Sequence, residues 1–398
     1  MANFVSSENN MWVKTYPEEV NLPDDKINEK YTSREWRIVT ETNRELLPNF
    51  VAALERKDWM VVRPIYQRRH RWDAERKSRL IESFIMNIPV PPLFVFESDL
   101  AKYEVMDGQQ RITTIKEFFS NLLVLEGLEQ WPELNGRTYA NLPSQIKKGI
   151  DRRSISYTVL LKESAETTEE QSLLRQMVFE RLNTGGVKLT QQEVRNCLYQ
   201  GPFNDMLFRA SRNSNFRKAW KLPAYDTSEE TKPSEALLEN KFYSKMEDVE
   251  IIARFFALRH VEHYQRGMQG FIDLYMLRSK KMTAEDISAL ESDFIKTLDL
   301  ATEVFGGNIF CLWDKSANSW EKKPSKAFAD AVMVGLWRCL GHADALKLRK
   351  AIILDQTKRM LEGEADKTFT GSANSKADVK NRIDIFEKML RSALLVNP

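Results

Sequence analysis

The sequence predicts an α+β protein in which a small mixed domain is followed by an all-helical one. In the first half, short runs rich in Val, Phe, Tyr and Ile alternate with segments of helical period, whereas from about Thr167 long helical segments dominate. A chain of 398 residues also exceeds the usual size of a single core, so at least two domains are expected. The expected division is an N-terminal extension over 1–44, a mixed domain over 45–165 and a helical domain over 166–398.

Each element has its own signal. Trp36, Ile38, Leu46, Leu47, Val51 and Leu54 recur among charges at roughly helical spacing, which predicts an amphipathic helix over 34–57. Trp59, Met60, Val61 and Val62 form a short apolar run stopped by Pro64, so an edge strand leading into a basic loop is expected. Asp73 has the right chemistry to cap a helix running through Asn87. Pro89, Pro91 and Pro92 cannot continue that helix, because proline lacks the N–H that a helix needs. Leu93 to Phe96 and Tyr103 to Met106 then read as a central hairpin turning around Ser98 and Asp99. The chain turns at Asp107 and Gly108 into a helix through Phe119, and a short basic helix precedes a last strand from Ser154 to Leu161. In the helical part, Val249, Ile252, Phe255, Phe256 and Val261 mark one buried stripe, and polar loops are expected near 224–235, 314–326 and 362–378.

Composition excludes several classes. A hydrophobic share of 42% and a charged share of 29% are those of a soluble globular chain. The first ten residues are polar, and no stretch approaches 18 uninterrupted apolar residues, so neither secretion nor a membrane span is expected. Cys197, Cys311 and Cys339 are odd in number and far apart, which argues against a disulfide framework or a zinc knuckle and for a cytoplasmic location. The net charge of +2 says little, but Arg63, Arg68, Arg69, Arg71, Arg76, Lys77 and Arg79 crowd one segment against Asp73 and Glu75. Such a patch can hold DNA phosphates through Arg69, Arg71 and Lys77, or it can be a solvated surface.

Three segments carry chemistry. Asp107-Gly108-Gln109-Gln110-Arg111 stands where a strand ends and a helix begins. A helix N-terminus presents N–H groups and partial positive charge, glycine admits a ligand to the backbone, and Arg111 adds a fork for phosphate oxygens. Gln109 and Gln110 are suited to orienting a water, and Asp107 to holding a magnesium-bound water or accepting a proton. The alternative is a capping box from Asp107 to Gln110 that merely starts the helix. Tyr66, Gln67 and Arg68 offer a stacking face, an amide and a phosphate fork, with Trp72 expected in the core. Phe179 to Gly186 resembles a helix stop, and Thr190 with Glu193 a capping box, yet Glu180, Arg181, Asn183, Arg195 and Asn196 gather more hydrogen-bonding side chains than a helix junction requires.

In this order, with Arg79-Leu80-Ile81-Glu82-Ser83, Ile88-Pro89-Val90-Pro91-Pro92 and Thr113-Thr114 between them, the segments resemble the N-terminal domain of the GmrSD family of type IV restriction proteins, within the ParB/sulfiredoxin-like group. The resemblance covers about residues 45–200, with a fainter echo at Asn381 and Arg382. It implies a ParB/sulfiredoxin-like fold for the mixed domain and NTP hydrolysis coupled to DNA restriction or to sensing of modified DNA. Carried over position by position, it implies catalytic roles for Asp107, Gln109, Gln110 and Arg111. Nucleotide contacts would come from Tyr66, Gln67, Arg68, Gly108, Thr113, Arg181, Asn183, Glu193, Arg195 and Asn196, with magnesium as the accompanying ion.

There is one departure. Many relatives carry a His-Asn-His nuclease, which needs a base and metal ligands to activate water. This chain has four histidines, His70, His260, His263 and His342, in no such spacing. A separate nuclease or effector protein is therefore expected as partner. The alternatives are a module that senses a nucleotide without turning it over, and a ParB-like centre that itself nicks DNA.

Overall fold

The computed structural model describes residues 4–9, 11–12, 23–32, 39–56, 59–62, 72–161, 174–175, 177–179, 181, 190–230, 233–363, 368–371 and 373–396. The chain divides into two compact units, Pro17–Leu189 and Met1–Tyr16 together with Thr190–Pro398.

The first unit is built on a mixed five-stranded sheet of β1 (Thr40–Leu46), β2 (Met60–Val61), β3 (Leu93–Asp99), β4 (Lys102–Asp107) and β5 (Ser154–Leu160), in the order β1-β5-β3-β4-β2. The hairpin of β3 and β4 is antiparallel, as its sequence predicts, and β2 lies at the edge, parallel to β4. Leu93 and Val95 of β3, Val105 of β4 and Ile155, Tyr157 and Val159 of β5 share a core with the helices Leu47–Leu54, Ala74–Met86 and Gln109–Phe119, which contribute Phe50, Ile81, Phe84, Ile112, Ile115 and Phe118. The helix Ala74–Met86 is capped by Asp73, which accepts from the backbone N–H of Arg76 at 2.7 Å, and it ends on Asn87 in the left-handed region.

The helix expected over 34–57 is a correction. Thr40–Leu46 is instead an edge strand paired with β5, and the helix starts only at Leu47, with Pro48 in its first turn. Proline is favoured there, where its missing N–H would have no partner anyway, and it is excluded from a helix interior, so Pro48 marks the true start. β1 carries almost no apolar period because it has a partner on one side only and is held by the ladder to β5.

In the second unit, helices Gln191–Leu198, Pro202–Ser211, Glu247–Leu258, Gly267–Ser279, Ala284–Phe305, Lys326–Arg338, Lys350–Glu362 and Lys376–Leu395 pack around Phe256, Leu298, Val332 and Phe386. Two expectations are corrected here. The segment read as a polar loop over 314–326 is largely a hairpin of β6 (Cys311–Asp314) and β7 (Ser319–Pro324), with Trp313 opposite Trp320. The helix bearing Phe255 and Phe256 ends at Leu258, so Val261 is buried from a separate turn.

Candidate functional site

β4 delivers the Asp107–Arg111 segment with a change of register. Asp107 pairs with Phe94 while Val105 pairs with Val95, so Met106 is an extra residue in β4 immediately before the turn. A bulge of this kind re-aims the end of a strand. Gly108 follows with φ +98°, a conformation that side chains rarely adopt, and a Cβ there would lie 2.3 Å from Leu93 Cδ2. The backbone angle is what calls for glycine here, and a Cβ would in addition push the Leu93 side chain aside.

Gly108 is itself the N-cap of the helix Gln109–Phe119, which has no side-chain cap, so the capping box between Asp107 and Gln110 does not form. The Asp107 carboxylate instead accepts from Arg111 Nη2 at 2.7 Å. The Asp107 side chain is 47% exposed and that of Arg111 only 12%. Arg111 Nη2 also reaches the Pro92 carbonyl at 3.4 Å, and Arg111 Nε is buried without a hydrogen-bond partner among the described residues. The result is a largely buried cation, incompletely satisfied, beneath a half-exposed carboxylate at a helix start. Gln109 is buried; Gln110 accepts from the backbone N–H of Trp72 at 3.4 Å, and Trp72 packs partly buried against the core. Thr113 is half-buried, one turn further along the helix.

Two ion pairs border this segment in sequence. Lys77 is turned onto Glu117 at 2.6 Å, with only 18% of its side chain exposed. Arg175, which sequence reasoning did not single out, is buried, pairs with Glu104 of β4 at 2.5 Å and lies over the Phe96 ring at 4.4 Å. An isolated arginine carries no local signal; only the fold brings it to β4.

The third motif falls across the division of the chain. Thr190 and Glu193 form the expected capping box of the helix Gln191–Leu198. Arg195 is fully buried in the helical unit, donating from Nε to Asp273 (2.6 Å), from Nη1 to Gln192 (3.3 Å) and Glu250 (2.9 Å), and from Nη2 to the carbonyl (3.2 Å) and side chain (2.5 Å) of Gln269. That occupies all five N–H donors of a guanidinium. Burial pushes the Glu250 carboxyl up, but Arg195 more than offsets it and holds Glu250 below its ordinary value. Asn196, also buried, accepts from Gln192 at 3.0 Å. Arg181 is exposed, while Tyr66, Gln67, Arg68, Arg69, Arg71, Glu180 and Asn183 lie outside the described residues.

His260 and His263 do not share a helix face. His260 contacts Glu8 at 3.0 Å and His263 stacks on Trp12 with ring centres 5.4 Å apart. Among the described residues, no group of three or more His, Cys, Asp or Glu is arranged to hold a metal ion.

Residues 49–200 match the family model described as the GmrSD restriction endonuclease, N-terminal domain. This part of the chain is a GmrSD-type N-terminal domain. No curated protein and no solved structure matches the chain. The GmrSD-type span contains the Asp107–Arg111 turn and its flanking helices, and it runs past Leu189 to take in the helix of Arg195. Among the described residues, no helix is long and apolar enough to cross a membrane.

Proposed function

We propose that the GmrSD-type domain binds a nucleoside triphosphate at the Asp107–Arg111 turn and hydrolyses it, as a component of a DNA restriction or phage-defence system. The observation that carries this reading is the incompletely satisfied Arg111 at a helix start that glycine leaves bare. Phosphate oxygens approaching this helix end gain from its partial positive charge and from the guanidinium fork. Arg111 then stabilises charge that grows on the phosphoryl oxygens, and Asp107 keeps it in place. The Oδ1 oxygen of Asp107 has no protein donor among the described residues. One such carboxylate together with substrate phosphates suits magnesium, which would lower the negative charge of the polyphosphate when bound. Gln110, whose side-chain oxygen accepts from the Trp72 backbone N–H, would orient the attacking water.

DNA engagement would come from the basic segment of Arg68, Arg69 and Arg71, with Lys77 a weaker contributor because Glu117 already neutralises it. Strand cleavage would be the task of a separate nuclease or effector protein.

The test is phosphate release by the purified chain with an NTP panel and magnesium, with and without DNA. Arg111→Ala is expected to lower turnover by roughly 100-fold or more while circular dichroism stays unchanged. Turnover at the wild-type rate in that variant removes the site from consideration, and nucleotide binding without phosphate release points to a sensor instead.

A further inference from the structure

The helical unit contains a polar cavity of about 430 Å³, walled by β7, the start of the helix Lys326–Arg338, and residues Thr370, Gly371 and Asn374. That volume lies in the range of small-ligand pockets, roughly 300–1,000 Å³. Its charged lining is Lys323 and Glu321, together with Arg254, which Asp330 holds, and Lys326, whose ammonium pairs with Glu247 at 2.8 Å.

The helix Lys326–Arg338 begins in this wall. Its N-cap Ser325 accepts from the N–H of Phe328, which leaves the N–H groups of Lys326 and Ala327 without a hydrogen bond among the described residues. Both residues line the cavity.

An independent feature lies in the buried charges. Two buried guanidiniums share one buried carboxylate. Asp330 takes Nε and Nη2 of Arg254 at 2.6 and 2.5 Å, and Arg382 Nη1 lies 3.7 Å from the same group. Arg254 is 8% exposed and reaches the cavity wall; with one N–H each of Nε and Nη2 committed to Asp330, its Nη1 donates to no group among the described residues. Arg382 is fully buried, donates from Nη2 to the Ala373 carbonyl and to Asn374 in the cavity wall, and has Nε and Nη1 without hydrogen bonds. Burial pulls the Arg382 guanidinium below its ordinary value, with Asp330 only partly opposing. An excess buried cation is costly unless an anion completes it.

We propose that this cavity binds the phosphate group of a nucleotide-sized anion. The phosphate oxygens would accept from the N–H groups of Lys326 and Ala327, from Arg254 Nη1 and from Lys323 Nζ, and the anion would balance the second guanidinium. This site belongs to the helical unit and does not depend on the reading of the Asp107 turn.

The test uses the full chain carrying Asp107→Ala and Arg111→Ala, so that the turn is disabled, and titrates pyrophosphate and AMP by calorimetry. Saturable binding of either is expected, weakening about tenfold or more when Lys323→Ala is added. Lys323→Glu alone, at an exposed position, should weaken it further with the fold intact by circular dichroism. Absence of binding in the disabled-turn background, binding insensitive to the lysine changes, or preference for a short DNA duplex over both small anions would each overturn the proposal.

Discussion

Arg111 and Arg195 both lie in the GmrSD-type span, yet they occupy opposite physical situations. Arg195 sits among helices with every donor taken and two carboxylates in contact. Arg111 has one half-exposed carboxylate, a long contact to a carbonyl and an unsatisfied Nε. A saturated guanidinium has nothing left to offer a ligand and acts as an internal fastener. An unsaturated one at a bare helix end retains its affinity for anions. A motif arginine therefore cannot be assigned a role from its letter; the count of donors left over decides.

The largest effect expected from this contrast is on Arg195. Arg195→Ala removes the guanidinium that Glu250 and Asp273, both largely buried, share, and breaking a buried pair in this way costs about 3–5 kcal/mol. Urea denaturation should show that loss, and a change below about 1 kcal/mol would mean that the Arg195 ion pairs contribute little to stability. Next comes Gly108→Ala. The clash with Leu93 and the left-handed backbone together should cost about 1–3 kcal/mol and displace Arg111. If both stability and turnover survive, the turn is not the constrained element described above.

Arg111→Ala should move stability by less than about 1 kcal/mol, because its one partner is half-exposed and solvent screens the pair. The same variant should nonetheless lose phosphate release. Equal losses of stability from Arg111→Ala and Arg195→Ala would erase the distinction between the two arginines.

The subtlest effect is a slope with pH in the helical unit. Glu8, delivered by the N-terminal helix Ser6–Asn9, is buried against Arg259, His260 and Tyr275, with His263 close by in sequence. Burial pushes the Glu8 carboxyl up, but His260 and Arg259 more than offset it and hold it below its ordinary 4.5. Burial pulls the His260 imidazole below its ordinary 6.5, with Glu8 only partly opposing. Both shifts are downward, so both contributions are present at neutral pH and fade as pH falls, from about 6.5 for His260 and from about 4.5 for Glu8. Thermal midpoints from pH 7 to 4 should fall accordingly, and Glu8→Gln should flatten the lower part of that curve. A midpoint that rises on acidification would contradict both directions.

Local chemistry by itself determined much of this protein. The hairpin of β3 and β4, the edge position of β2, the Asp73 cap and the box of Thr190 with Glu193 all follow from residues within a few positions of one another, and all are present. The strand-to-helix turn at Asp107–Arg111 was legible for the same reason, since glycine after an apolar run and before a helical period has few other readings. Tertiary structure alone decided the rest. β1 has no period of its own and exists because β5 offers a ladder, while the choice between cap and ion pair at Asp107 depended on a bulge set by pairing with β3. Arg175 finds Glu104 across 71 positions, Arg195 finds Asp273 across 78, and Glu8 finds His260 across 252. Sequence records propensities that act over one or two turns; where a buried charge finds its partner is settled only when distant segments must satisfy each other's donors and acceptors away from water.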